Sequence, residues 1–170
     1  EVHLPYDRVA LSRALIEPAV DLTLGEPGLW DHPRITLATA ARAVDLDLEA
    51  REVVTADGGR HPYDELVLAT GSNAARLPIP GNEHTHVYRY LEDVWAIHRE
   101  VTRLTERLGR PVNAVTIGGG LLGLEAANGL RVRGMDVTVV HLLDTLMERQ
   151  LDATAAKLLQ SSLEQKGLKF

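Results

Sequence analysis

Cysteine is absent from the 170 residues. That excludes disulfides, thiolate zinc sites, cysteine-ligated iron–sulfur clusters and a redox-active thiol pair within this stretch. A net basic field is also lacking: 18 Lys plus Arg stand against 24 Asp plus Glu, a formal charge of −6. Nothing is arranged to grip nucleic acid. No apolar run reaches the roughly 18 residues that a bilayer crossing demands, so no membrane partner is expected. The opening Glu-Val-His-Leu-Pro-Tyr does not have the charged-then-apolar layout of a secretory signal, which makes a cytoplasmic setting the expectation. Internal repeats and low-complexity tracts are missing too. What is present is a 45% apolar share, enough to build a core, in a length suited to one ordinary domain or two small ones.

The order of local signals predicts an α/β chain. A short helix fits residues 9–16. Residues 17–33 hold three prolines and two glycines and read as a loop or broken helix. A strand-like stretch starts at 35–37, and strands at 44–48 and 51–55 form a meander, with Asp57-Gly58-Gly59 turning into a third strand. Leu66-Val67-Leu68-Ala69 is a continuous apolar run, the pattern of a strand covered on both faces. Apolar positions from Leu91 to Leu108 recur mostly at three and four, which predicts a helix over 91–108, ended by Gly109 and kept from resuming by Pro111. Then follow a strand at 113–117, a glycine turn, a helix at 121–133 stopped by Gly134, and a strand at 136–140. A last helix fits 152–166, with Asp152 as N-cap and Gly167 just past its end. Leu168-Lys169-Phe170 begins another strand.

Gly118-Gly119-Gly120-Leu121-Leu122-Gly123 fits G-x-G-x-x-G in a strand–turn–helix–strand context. Each glycine then has a task. Gly118 permits the tight turn, Gly120 lets the backbone approach a pyrophosphate, and Gly123 lets helix and strand pack closely. The N–H groups at Leu121 and Leu122 open the helix and face the phosphates with its partial positive charge. The fingerprint expects Asp or Glu at the end of the second strand, on the adenosine ribose. His141 stands there instead. A neutral imidazole accepts one hydrogen bond and a protonated one favours a 2′-phosphate, so NAD and NADP both stay open.

The run Tyr63-Asp64-Glu65-Leu66-Val67-Leu68-Ala69-Thr70-Gly71-Ser72 ends in small residues, where another group can lie against bare backbone. Its place before a separate glycine-turn unit suggests two nucleotide units in succession. With Tyr6 through Ser12, Val87-Tyr88-Arg89, Gly118 through Ala127 and Leu146-Met147-Glu148-Arg149-Gln150-Leu151-Asp152, it resembles the two-dinucleotide-binding flavoprotein reductases. The last run and the Leu-Leu-Gly-Leu-Glu-Ala-Ala helix start are most similar to the large subunits of assimilatory NAD(P)H-dependent nitrite reductases.

The resemblance implies a partial FAD-binding domain over 1–87 and a partial NAD(P)-binding domain over 88–170. The two ends are expected to be edges of a fragment that is inactive alone, with a first glycine motif before Glu1 and a closing FAD-domain strand after Phe170. It implies flavin contacts at Arg8, Ser12, Arg13, Ala43, Thr70, Gly71 and Arg89. It also implies a Glu125–Arg13 pair that orients the flavin edge and the nicotinamide as the catalytic couple. For the full protein the resemblance implies hydride transfer from NAD(P)H to FAD, with electrons going on to iron–sulfur and sirohaem centres or a small subunit, where nitrite becomes ammonia. A rubredoxin- or ferredoxin-reductase-like flavoprotein and a non-catalytic dinucleotide-sensing module are the alternatives. Glu125 also suits its place for a plainer reason, since an acid in a helix's first turn complements the dipole. Glu83-His84-Thr85-His86 lacks a third and fourth ligand for a metal, and Trp30 and Trp95 read as packing residues.

Overall fold

Three short antiparallel strands fill the first half of the structure, a computed structural model that describes residues 1–170. They are β1 (Ala43–Asp47), β2 (Glu52–Thr55) and β3 (Arg60–Pro62), in the order β1-β2-β3. Leu46 pairs with Val53 and Val53 with His61, with a bulge between Ala43 and Asp45. Asp57 organises the second turn: its carboxylate accepts the Thr55 hydroxyl at 2.6 Å and the Gly59 N–H at 3.1 Å, and Gly58 takes the left-handed φ of 86°. Those hydrogen bonds, Thr55 foremost, hold the Asp57 carboxyl below its usual range. The meander belongs to a compact unit made of residues 1–7 and 23–73, closed by a Tyr6–Thr23 bridge and by Ala40 N–H donating to the Glu1 carbonyl at 2.7 Å.

Two expected strands do not form here. Residues 66–69 join neither sheet, and Val67 and Leu68 are 84% and 67% exposed. Their residue types suit a buried strand. A strand exists, however, only where a neighbour supplies N–H and C=O groups, and no segment of this chain does so. Residues 35–37 are irregular because Ile35 donates its N–H to the His32 carbonyl at 2.9 Å, which takes that amide out of any ladder.

The second unit comprises residues 8–22 and 74–170. It contains α1 (Leu11–Ile16), α2 (Leu91–Leu108), β4 (Asn113–Ile117), α3 (Leu121–Val132), β5 (Asp136–Val140) and α4 (Ala153–Gln165). Strands β4 and β5 pair in parallel, Asn113 opposite Asp136 through Ile117 opposite Val140, so α3 is the crossover of a βαβ unit. Lys169 extends the sheet on the far side of β5, its carbonyl accepting Val139 N–H at 2.7 Å. Asp93 accepts N–H groups of Arg89 and Tyr90 at 2.9 and 2.8 Å to start α2, and Gly109 ends it at φ 63°. Asp152 caps α4 through Thr154 and Ala155 N–H.

The core of this unit lies between α1, α2, α3 and the sheet, with Leu15, Val94 and Val137 fully buried. Gly129 gives α3 a bare surface against which Leu15 lies: a Cβ there would stand 2.9 Å from Leu15 Cδ2. His98 on α2 joins α1 through its Nε2, 2.8 Å from the Ala14 carbonyl, one of the carbonyls left open at that helix's C-terminal end. No helix is long and apolar enough to cross a membrane.

Candidate functional site

The chain leaves β4 through a loop whose glycines have different jobs. Gly118 sits at φ 120°, where a side chain is strained, and its N–H donates to the Val140 carbonyl at 2.8 Å. A Cβ on Gly123 would collide with the Gly118 carbonyl oxygen, so that glycine is required for loop and helix to touch. A Cβ on Gly120 would meet nothing within 4 Å, although the residue has an ordinary φ of −83°. Space is therefore open in front of the Gly120 backbone.

No side chain caps α3, and its ladder starts with Leu124 N–H to the Gly120 carbonyl at 3.0 Å. The amides of Leu121, Leu122 and Gly123 precede that bond and point out of the helix end with the positive end of its dipole. The side chains of Leu121 and Leu122 are exposed. This combination of strand end, left-handed glycine, bare Gly120 and uncapped helix suits a dinucleotide's diphosphate.

His141 occupies the end of β5 as expected, but its ring turns back onto the loop. Its Nδ1 accepts the Gly119 N–H at 3.0 Å, and its Nε2 lies 3.3 Å from Glu148 Oε2. Gly119 is itself constrained, because an added Cβ would lie 2.7 Å from Leu146 Cδ2 and 2.8 Å from His141 Cγ. The sequence pattern marks Gly119 only as a variable position of the motif, so this constraint becomes legible only in three dimensions.

Glu125 is half-buried in the first turn of α3. Its charge acts on Tyr88, whose hydroxyl is buried without a hydrogen-bond partner. Burial first, then the Glu125 charge, push the Tyr88 phenol up to about 12, so Tyr88 stays neutral at any physiological pH. Arg13 is on the exposed face of α1, and no salt bridge joins it to Glu125. Arg8 and Arg89 meet on one ring instead: their guanidinium carbons lie 4.7 and 5.9 Å from the Tyr90 centroid. The ring's negative face lets two cations share a neighbourhood. Tyr90 was the residue to notice, an aromatic next to a candidate arginine in a chain with only 4% aromatics. Ser12 is half-buried on α1, in the same unit as Arg8, Arg13 and Arg89. Ala43 opens β1 in the other unit, which also holds the exposed Thr70 and Gly71 in an irregular segment, with Gly71 left-handed at φ 69°.

The chain belongs to the pyridine nucleotide-disulphide oxidoreductase family, which it matches over residues 1–170. It is 42% identical over 174 residues to the assimilatory nitrate reductase electron transfer subunit of Bacillus subtilis (strain 168), covering 100% of this chain and 22% of that protein. To the NAD(P)H nitrite reductase of the same organism it is 42% identical over 172 residues, 100% of this chain and 21% of the relative. A ferredoxin reductase of known structure from Rhodopseudomonas palustris superimposes with a TM-score of 0.86 at 28% identity, over 99% of this chain and 41% of the other. The mixed α/β fold is thus that of pyridine-nucleotide reductases, and the chain spans about a fifth of the length of these curated relatives.

Proposed function

We propose that this chain is the dinucleotide-handling part of an NAD(P)H-dependent nitrite reductase large subunit, with residues 1–87 serving FAD and residues 88–170 serving NAD(P)H. The observation that carries the reading is the loop from Gly118 to Gly123, where Gly120 has open space at an ordinary φ and lies beside an uncapped helix. The 42% identity to an assimilatory nitrate reductase electron transfer subunit and to an NAD(P)H nitrite reductase favours that branch.

NAD(P)H and FAD, when bound, supply the hydride chemistry between them, and the protein contributes position and dryness. Gly118, Gly120 and the amides of Leu121, Leu122 and Gly123 hold the nicotinamide coenzyme's diphosphate, and His141 supports that loop from behind. Thr70 and Gly71 offer bare backbone to the flavin, since a Cβ at Gly71 would meet nothing within 4 Å. Ala43 is a further flavin contact of the same unit, and Arg8, Ser12, Arg13 and Arg89 are the flavin contacts that the second unit contributes. Glu125, against the neutral Tyr88 hydroxyl, orients the nicotinamide side. Iron–sulfur and sirohaem centres or a small subunit, as the onward acceptors of a nitrite reductase, would be held by parts of the protein other than this cysteine-free stretch.

Gly120→Ala tests the loop. The structure has room for the methyl group, so stability is expected to stay within about 0.5 kcal/mol. NAD(P)H affinity of the full-length protein should nevertheless fall about tenfold or more, because the methyl group stands where the diphosphate lies. Unchanged affinity by titration calorimetry would sink the reading. Glu125→Ala in the full flavoprotein is expected to slow single-turnover flavin reduction about tenfold or more through misplacement of the reacting rings; a rate equal to wild type removes that role. A reductase that hands electrons to a separate ferredoxin is the second reading, favoured by the 0.86 TM-score to such an enzyme. Nitrite reduction by the purified full-length protein separates the two.

A further inference from the structure

The run Leu146-Met147-Glu148 folds over the back of the glycine loop as a strap. Leu146 is buried against Gly119. Met147 takes a left-handed φ of 52°, a conformation unusual for a side chain of its size, and donates its N–H to the Gly119 carbonyl at 3.0 Å. Glu148 faces His141. Both polar groups of the Gly119 backbone are therefore engaged, the carbonyl by the strap and the N–H by the His141 ring at 3.0 Å.

The second contact depends on charge. A backbone N–H only donates, so Nδ1 must carry its lone pair and the ring proton must sit on Nε2. That atom is buried, 3.3 Å from the Glu148 carboxylate and outside hydrogen-bond geometry. An imidazolium has a proton on both nitrogens. It would turn an N–H against the Gly119 N–H and lose the bond, while its attraction to Glu148 would grow. The groups facing the ring are thus of two kinds. The glycine loop presents backbone alone, and the strap presents Glu148, itself 4.0 Å from Arg149 Nε.

We propose that His141 is a positioning residue for dinucleotide binding: the neutral ring, clasping Gly119 opposite the Leu146–Glu148 strap, shapes the diphosphate loop, and protonation transfers the ring to Glu148 and releases the loop. This rests on the reading of residues 118–123 as a dinucleotide loop. Coenzyme affinity consequently weakens when the ring is protonated, opposite to the behaviour of a histidine that binds phosphate directly.

The test is NAD⁺ titration of the full-length holoenzyme by calorimetry between about pH 7.5 and pH 5.5, using NAD⁺ because it cannot reduce the flavin. Wild type is expected to bind about tenfold more weakly at the acid end, because only the neutral-ring form is competent to bind. His141→Asn keeps an acceptor for Gly119 but does not titrate, so its affinity should stay flat across this pH range. Glu148→Gln removes the group that draws the charged ring away and should move the wild-type drop to lower pH while leaving the fold intact. A flat wild-type profile, tighter binding in acid, or an undiminished drop in His141→Asn overturns the proposal while the dinucleotide loop stands. Absence of saturable binding at every pH in wild type overturns the loop reading and this proposal with it.

Discussion

Gly123→Ala is expected to unfold the glycine loop and abolish coenzyme binding together. The added methyl would collide with the Gly118 carbonyl oxygen and stand 3.0 Å from the carbonyl carbon. Both obstacles are backbone, so neither can swing aside as a side-chain end does. Relief requires α3 to move off the end of β4, breaking the Gly118 N–H to Val140 contact at 2.8 Å that holds the loop to β5. Overpacking of this kind costs about 3 kcal/mol. The measurements are the urea midpoint and the NAD⁺ titration of the full-length protein, and both should fail in step. Wild-type stability in this variant would mean that the loop and helix do not touch as described. The contrast with Gly120→Ala is informative, since there binding alone is weakened: one glycine is demanded by the fold and the other by the ligand.

Leu15→Ala is expected to destabilise the protein by about 2–5 kcal/mol, the range for removing a buried leucine side chain that leaves a cavity. Leu15 is 0% exposed and fills the space against Gly129 on α3. A loss of that size is a large share of the roughly 5–15 kcal/mol that holds a domain together. The urea midpoint should drop with its slope unchanged. Adding Gly129→Ala to the Leu15→Ala protein should recover about 1 kcal/mol, because the new methyl enters the vacated space and alanine is the better helix former. No recovery would show that the two residues do not share the cavity.

Much of the second unit was legible in advance because its signals are local. The 91–108 periodicity returned α2 with both ends correct, since Asp93 and Gly109 act within a few residues of the helix they bound. The β4–glycine–α3–β5 order was legible for the same reason, as was the Asp152 cap. Residues 66–69 failed as a strand because pairing depends on a neighbour, and periodicity says nothing about whether one is present. At His141, sequence spacing put the residue at the correct strand end but left its ring direction open. Only the fold shows that Gly119 receives it, with Glu148 on the opposite side. Tyr90 escaped because the meeting of Arg8 with Arg89 spans 81 positions of chain, a distance no local pattern encodes.

Helix α1 has only six residues, too few to hold its own hydrogen bonds in water. It is clamped at two points to the eighteen-residue α2: Arg8, just upstream, rests on Tyr90, and Ala14 is tied to His98. Ser12 and Arg13 lie between the two clamps. A displacement of α2 is therefore expected to carry this pair with it.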